Sequence, residues 1–145
     1  MLAYQTERQQ ENFFAAFKSL PADKLDWAPH EGARSALDQL QEVAKIAQFF
    51  PNVAKNRKLE FTTEQFEQYE ADRKSISDPA ELERMTREAT KHLIDSLKDF
   101  KAEELMDNVE MPWPGEYRVA DVLNMHAWNM AYHEGQIYYI ASQLK

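Results

Sequence analysis

His126-Ala-Trp-Asn129-Met-Ala-Tyr-His133-Glu-Gly-Gln136-Ile137, near the C-terminal end of the chain, reads as part of a long helix that carries polar groups on its core stripe. At about 100° per residue, with His126 set to zero, Asn129 falls near 300° and His133 near 340°. Val119, Val122, Met130, Ile137, Ile140 and Leu144 fall within about 40° of the same line. Two imidazoles and a carboxamide therefore lie among aliphatic side chains. Burying such groups without partners costs about 1–3 kcal/mol each. The pattern requires a hydrogen-bond network, a metal ion or a water-filled site at this place in the core.

Working outward, the remaining sequence supplies three further long helices. Residues 3–19 place Phe13, Phe14 and Phe17 on one face and end at Leu20-Pro21, where the residue before proline leaves the helical region. Ser35 is a good N-cap for a second helix, Ala36 to about Phe50, with Pro51 stopping it or entering a frayed last turn. Asp78-Pro79 opens a third, capped by Asp78, with Pro79 first and Glu81 third. Leu82, Met85, Ala89, Leu93, Ser96 and Phe100 keep its period. Residues 64–74 read as a short, charged, exposed helix. Residues 102–118, with Met111-Pro-Trp-Pro-Gly115, read as an extended loop or short hairpin leading into the last helix, about 119–143. The expected fold is all-α: an antiparallel four-helix bundle with a short extra helix, in one domain over residues 1–145.

Composition agrees and narrows the function. The chain has 43% hydrophobic and 12% aromatic residues, with only 3 glycines and 6 prolines. Its net charge of −8, with no local Lys/Arg run, argues against nucleic-acid binding. The absence of cysteine excludes disulfides, thiolate zinc sites and a cysteine nucleophile. The N-terminal Met-Leu-Ala-Tyr-Gln-Thr-Glu-Arg has no apolar signal region, and no apolar run is long enough for a membrane span. A cytoplasmic location and no membrane partner are expected.

Among the polar residues, Asn129 and His133 have the i, i+4 pitch for one ion, whereas His126 and His133 are two turns apart. Glu42 lies on a stripe with Ile46, Phe49 and Val53, on the apolar flank of the second helix. His30 reads as an exposed loop residue, and His92 lies about 60° off the core stripe of its helix. No serine triad and no glycine-rich phosphate loop is present.

Leu25-Asp-Trp27-Ala-Pro29-x-Glu-Gly-x-Arg34-Ser35 running into a helix, with a final helix containing His133-x-Gly135-Gln136-Ile137, resembles the DinB-like (YfiT-like) superfamily over nearly the whole chain. The resemblance implies a four-helix bundle, commonly dimeric, with a divalent metal on three histidines, one from the second helix and an i, i+4 pair from the fourth. It also implies a small-molecule or thiol substrate, since characterised relatives include thiol-dependent transferases and an isomerase.

The last family histidine falls on His133. The other two positions fall on Glu42 and Asn129, so the implied site becomes Glu42, Asn129 and His133. Two outcomes are open. The three side chains hold a divalent ion such as nickel, zinc, manganese or iron loosely, and His126 shuttles a proton in a metal-assisted transfer, isomerisation or hydrolysis. Alternatively the metal is lost, Glu42 pairs with His133 or His126, and the chain is a non-catalytic small-molecule-binding or stress-associated bundle.

A homodimer is expected through the fourth helix. Trp128, Tyr132, Gly135 and Tyr139 lie at about 180–240° on the wheel, opposite the core stripe, where a bundle helix normally turns charges. The N-terminal helix or the 102–118 segment would otherwise have to cover that face.

Overall fold

The computed structural model describes residues 1–145 and is an antiparallel helical bundle with one small hairpin. Helix α1 (Leu2–Lys18) buries Phe13, Phe14, Ala16 and Phe17 and runs along the last helix. Ser35 Oγ accepts from the Asp38 amide at 3.1 Å and opens α2 (Ala36–Ile46). The second helical stretch does not stop at Pro51. It tightens into a 3₁₀ turn over Ala47–Phe49 and resumes as α3 (Phe50–Asn56), with Pro51 in the first turn, where its missing N–H costs no intrahelical bond. Arg57, at φ 58° in the left-handed region, ends α3.

Helix α4 (Thr63–Lys74) starts from a reciprocal cap between Thr62 and Gln65. Helix α5 (Pro79–Ser96) starts from Asp78, whose carboxylate accepts from the Ala80 amide at 3.2 Å. The Glu81 side chain turns outward to Arg84 rather than back to the cap. The 102–118 segment contains a 3₁₀ turn and then a hairpin of β1 (Asn108–Val109) and β2 (Tyr117–Arg118), paired Asn108 to Arg118 and Val109 to Tyr117. Leu59 and Arg57 exchange backbone hydrogen bonds with Glu110, which ties the hairpin to the segment after α3. Helix α6 (Val119–Gln143) follows directly. No helix is long and apolar enough to cross a membrane.

Two apolar clusters make the core. One gathers Phe13, Phe14, Leu40, Leu82, Met130 and Ile137; the other gathers Ala47, Phe50, Val53, Leu93, Val122 and Leu123. Along α6 the seam between them falls at His126 and Asn129, and along α5 near Thr86 and Thr90. Glu42 and His133 lie further along, beside residues of the first cluster.

Helix α4 buries a single residue, Arg73, and its Phe66 and Tyr69 line a cavity that Glu42 also lines. Arg73 is 6% exposed; it donates to Asp38 Oδ1 at 2.7 Å and makes a two-pronged pair with Glu70 at 2.8 and 2.9 Å. Removing the guanidinium leaves two half-buried carboxylates, Asp38 and Glu70, short of a partner. Arg73→Ala should cost about 2–3 kcal/mol in denaturant unfolding and should raise amide exchange over 63–74 while leaving α1 and α6 protected. Unchanged exchange over 63–74 would show that α4 is held by other contacts.

Candidate functional site

Helices α2 and α6 bring Glu42 and His133 together. Glu42 Oε1 lies 3.1 Å from His133 Nε2, and Glu42 Oε2 accepts from Arg34 at 2.5 Å. On its other side, His133 Nδ1 donates to Gln39 Oε1 at 2.8 Å and to Gln136 Oε1 at 3.0 Å. Both ring nitrogens thus face oxygen atoms, one a carboxylate oxygen and the other two amide oxygens. The His133 side chain is 2% exposed and that of Glu42 is 21% exposed.

The pair continues outward. Arg34 also donates to Asp38 at 2.5 Å, and Asp38 accepts from Arg73. A chain of alternating charge therefore runs from Glu42 through Arg34, Asp38 and Arg73 to Glu70. Burial pushes the Glu42 carboxyl up, but the His133 hydrogen bond and the adjacent Arg34 guanidinium outweigh it and hold it at about 2.

Asn129 sits beside this cluster on α6, 8% exposed, and its Nδ2 is buried with no hydrogen-bond partner. His126 is drawn elsewhere. It is fully buried, its Nε2 pairs with the Thr90 hydroxyl at 2.8 Å, and no hydrogen bond joins it to Glu42, Asn129 or His133. Burial pushes its imidazole down to about 4, so it is neutral at physiological pH.

Glu42 and Asn129 form part of the wall of a cavity of about 570 Å³. Phe49, Phe61, Phe66 and Tyr69 make an aromatic group on one side, with edge-on contacts of 5.6 Å (Phe49–Phe61) and 5.8 Å (Phe49–Tyr69). Trp113 of the hairpin and Trp128 of α6 line the other. The Tyr69 hydroxyl is buried without a partner, and burial pushes its pKa up, with the Glu42 charge adding to the effect.

Sequence reasoning placed Glu42 and His133 on facing stripes but did not place Arg34, Gln39, Gln136 or Tyr69 in the site. A signal existed for two of them, because Gln39 precedes Glu42 by three residues and Gln136 follows His133 by three, each one turn away. None existed for Tyr69, which lies in a helix that reads as solvated all round.

The model of the DinB superfamily matches residues 5–137, and the chain belongs to that superfamily. The crystal structure of the mycothiol-dependent maleylpyruvate isomerase is similar, with a TM-score of 0.72 at 11% identity, covering 92% of this chain and 58% of that chain. A mutant of that isomerase gives the same values. A DinB-like protein from Bacillus subtilis has a TM-score of 0.66 at 12% identity, covering 99% of this chain and 90% of that chain. At these identities the likeness is one of fold, and the chain spans 58% of the isomerase's length. No curated protein matches the chain.

Superfamily members are often metal-dependent. Here no group of three or more His, Cys, Asp or Glu side chains is assembled for an ion. Both oxygens of Glu42 already face partners, Arg34 and His133, so the donor set does not fit a tightly held divalent metal.

The titrations set two windows of acid sensitivity. His126 has a depressed pKa in the fold, so the unfolded chain binds more protons and stability falls as pH drops from about 6.5 to about 4. Glu42 is also depressed, and the stability it contributes is present above about 4.5 and lost as pH falls toward 2. Glu42→Gln should flatten the lower window in urea titrations from pH 2 to 7 and leave the upper one. A lower window of unchanged slope in Glu42→Gln would mean that other carboxylates govern it.

Proposed function

We propose that this DinB-superfamily chain is a small-molecule-binding bundle in which an internal ion pair stands where its relatives use a metal. The observation that carries this reading is the double engagement of Glu42, with Arg34 on one oxygen and His133 on the other. A metal ion at that carboxylate would have to displace one of them and leave it without its partner, which is costly. The cavity beside the pair has the size and apolar lining of a ligand site. The 3.1 Å approach of Glu42 to His133, with the unpartnered Asn129 amide beside them, favours a second reading. In it, Glu42, Asn129 and His133 hold a divalent ion weakly, and the chain is a metal-dependent transferase, isomerase or hydrolase acting with a thiol.

Metal analysis of protein purified without a histidine tag or nickel resin separates the two. The ion-pair reading expects well under one metal per chain. Asn129→His restores an imidazole four residues before His133 and should raise zinc affinity about tenfold or more by calorimetry. Stoichiometric metal in the native chain, lost in His133→Ala, would overturn the ion-pair reading.

The same reading includes a homodimer through α6. Trp128, Tyr132 and Tyr139 are 60%, 52% and 58% exposed, with the first two rings stacked at 5.5 Å, so neither α1 nor the hairpin covers this face. A Cβ placed on Gly135 would meet nothing within 4 Å, so the helix surface is open to close approach there. Sedimentation equilibrium at tens of micromolar should show a dimer that Trp128→Glu splits; a monomer in both proteins would reject the interface.

A further inference from the structure

We infer that the cavity between α2, α4 and α6 takes an uncharged, lipophilic, ring-bearing molecule whose carbonyl-type oxygen accepts hydrogen bonds from Asn129 and Tyr69. This rests on the small-molecule reading above and names the ligand class. Three observations carry it.

The first is the polar inventory of the wall. Asn129 and Tyr69 both line the cavity, and each carries a buried polar atom without a partner, the Asn129 Nδ2 and the Tyr69 hydroxyl. Unpaired buried donors are costly in a finished core, and an acceptor oxygen on a bound molecule is the partner that each lacks. The second is charge. Glu42 is the one charged residue lining the cavity, and its oxygens are taken by His133 and Arg34. A carboxylate or phosphate entering here meets no Lys, Arg or His on the wall and lies near a carboxylate. An ammonium finds the only carboxylate already neutralised. Both ions would give up hydration without a counter-charge, whereas a neutral molecule loses only what the two donors restore.

The third is the rim. Phe61, Phe66, Trp113 and Trp128 are 39%, 52%, 42% and 60% exposed and all line this one cavity. Large aromatic surfaces gathered at one opening mark a binding site rather than scattered surface residues. Their faces and edges suit a planar ring.

A matched series of naphthalenes tests the class by calorimetry: the neutral ketone 1-acetylnaphthalene, the anion 1-naphthoate, the cation 1-naphthylmethylammonium, and 1-ethylnaphthalene, which lacks an acceptor. The ketone should bind at least about tenfold tighter than either ion. Asn129→Leu and Tyr69→Phe should each weaken the ketone about five- to tenfold and leave 1-ethylnaphthalene within about twofold, which also shows that the variants fold. Naphthoate or the ammonium binding as well as the ketone would overturn the neutral class while leaving the cavity a ligand site. An unchanged ketone affinity in both variants would overturn the role of the two donors. Failure of every member to bind would overturn both this inference and the small-molecule reading.

Discussion

A carboxylate on an apolar helix stripe must be paired, and the pairing of Glu42 organises this protein. Left alone in the core it would be protonated or would unfold its helix. His133 from α6 meets one oxygen and Arg34, just before α2, meets the other. That single requirement fixes the register of α2 against α6 and draws the segment before α2 onto the bundle. Through Asp38 and Arg73 it also ties in α4, whose one buried residue is Arg73. The aromatic contact of Tyr69 with Phe49 holds the same helix beside the cavity.

The chemistry of the site follows from the same pair. In a three-histidine site the ligands are neutral imidazoles with lone pairs free for an ion. Here the carboxylate at the second-helix position draws in a guanidinium and turns the remaining imidazole toward itself, flanked by Gln39 and Gln136. The charges compensate within the cluster, and Asn129 stays without a partner. Polar groups satisfied on one side and open on the other describe a binding wall better than a metal cage. The likeness to an isomerase that uses mycothiol is a likeness of backbone, at 11% identity.

His126 shows how the same helix serves two ends. One turn before Asn129, it belongs to the seam between the apolar clusters, where Thr90 of α5 meets it. Burial keeps it neutral, and the hydroxyl fixes its ring. Its position on the wheel is almost that of His133. What separates them is height along the helix: His133 rises to the level of Glu42, and His126 faces α5.

By itself the sequence determined the helices, their caps and the stripe on which the polar residues lie, because these depend on neighbours three and four residues apart. Ser35, Thr62 and Asp78 act locally, and so does the 3.6-residue period that aligns Asn129 with His133. It also established the two departures, Glu42 and Asn129, from the family's histidine pattern. Only the tertiary structure decided that Arg34 would take Glu42's second oxygen, that Tyr69 would face the cavity from a helix patterned as solvated, and that the helix after Ser35 would bend at Ala47–Phe49 and continue past Pro51. Those outcomes lie beyond the three- and four-residue spacing: Arg34 reaches Glu42 eight residues along the chain, and Tyr69 of α4 packs back against Phe49. There, the pairing of side chains outweighs the weak preference of any single residue for its local environment.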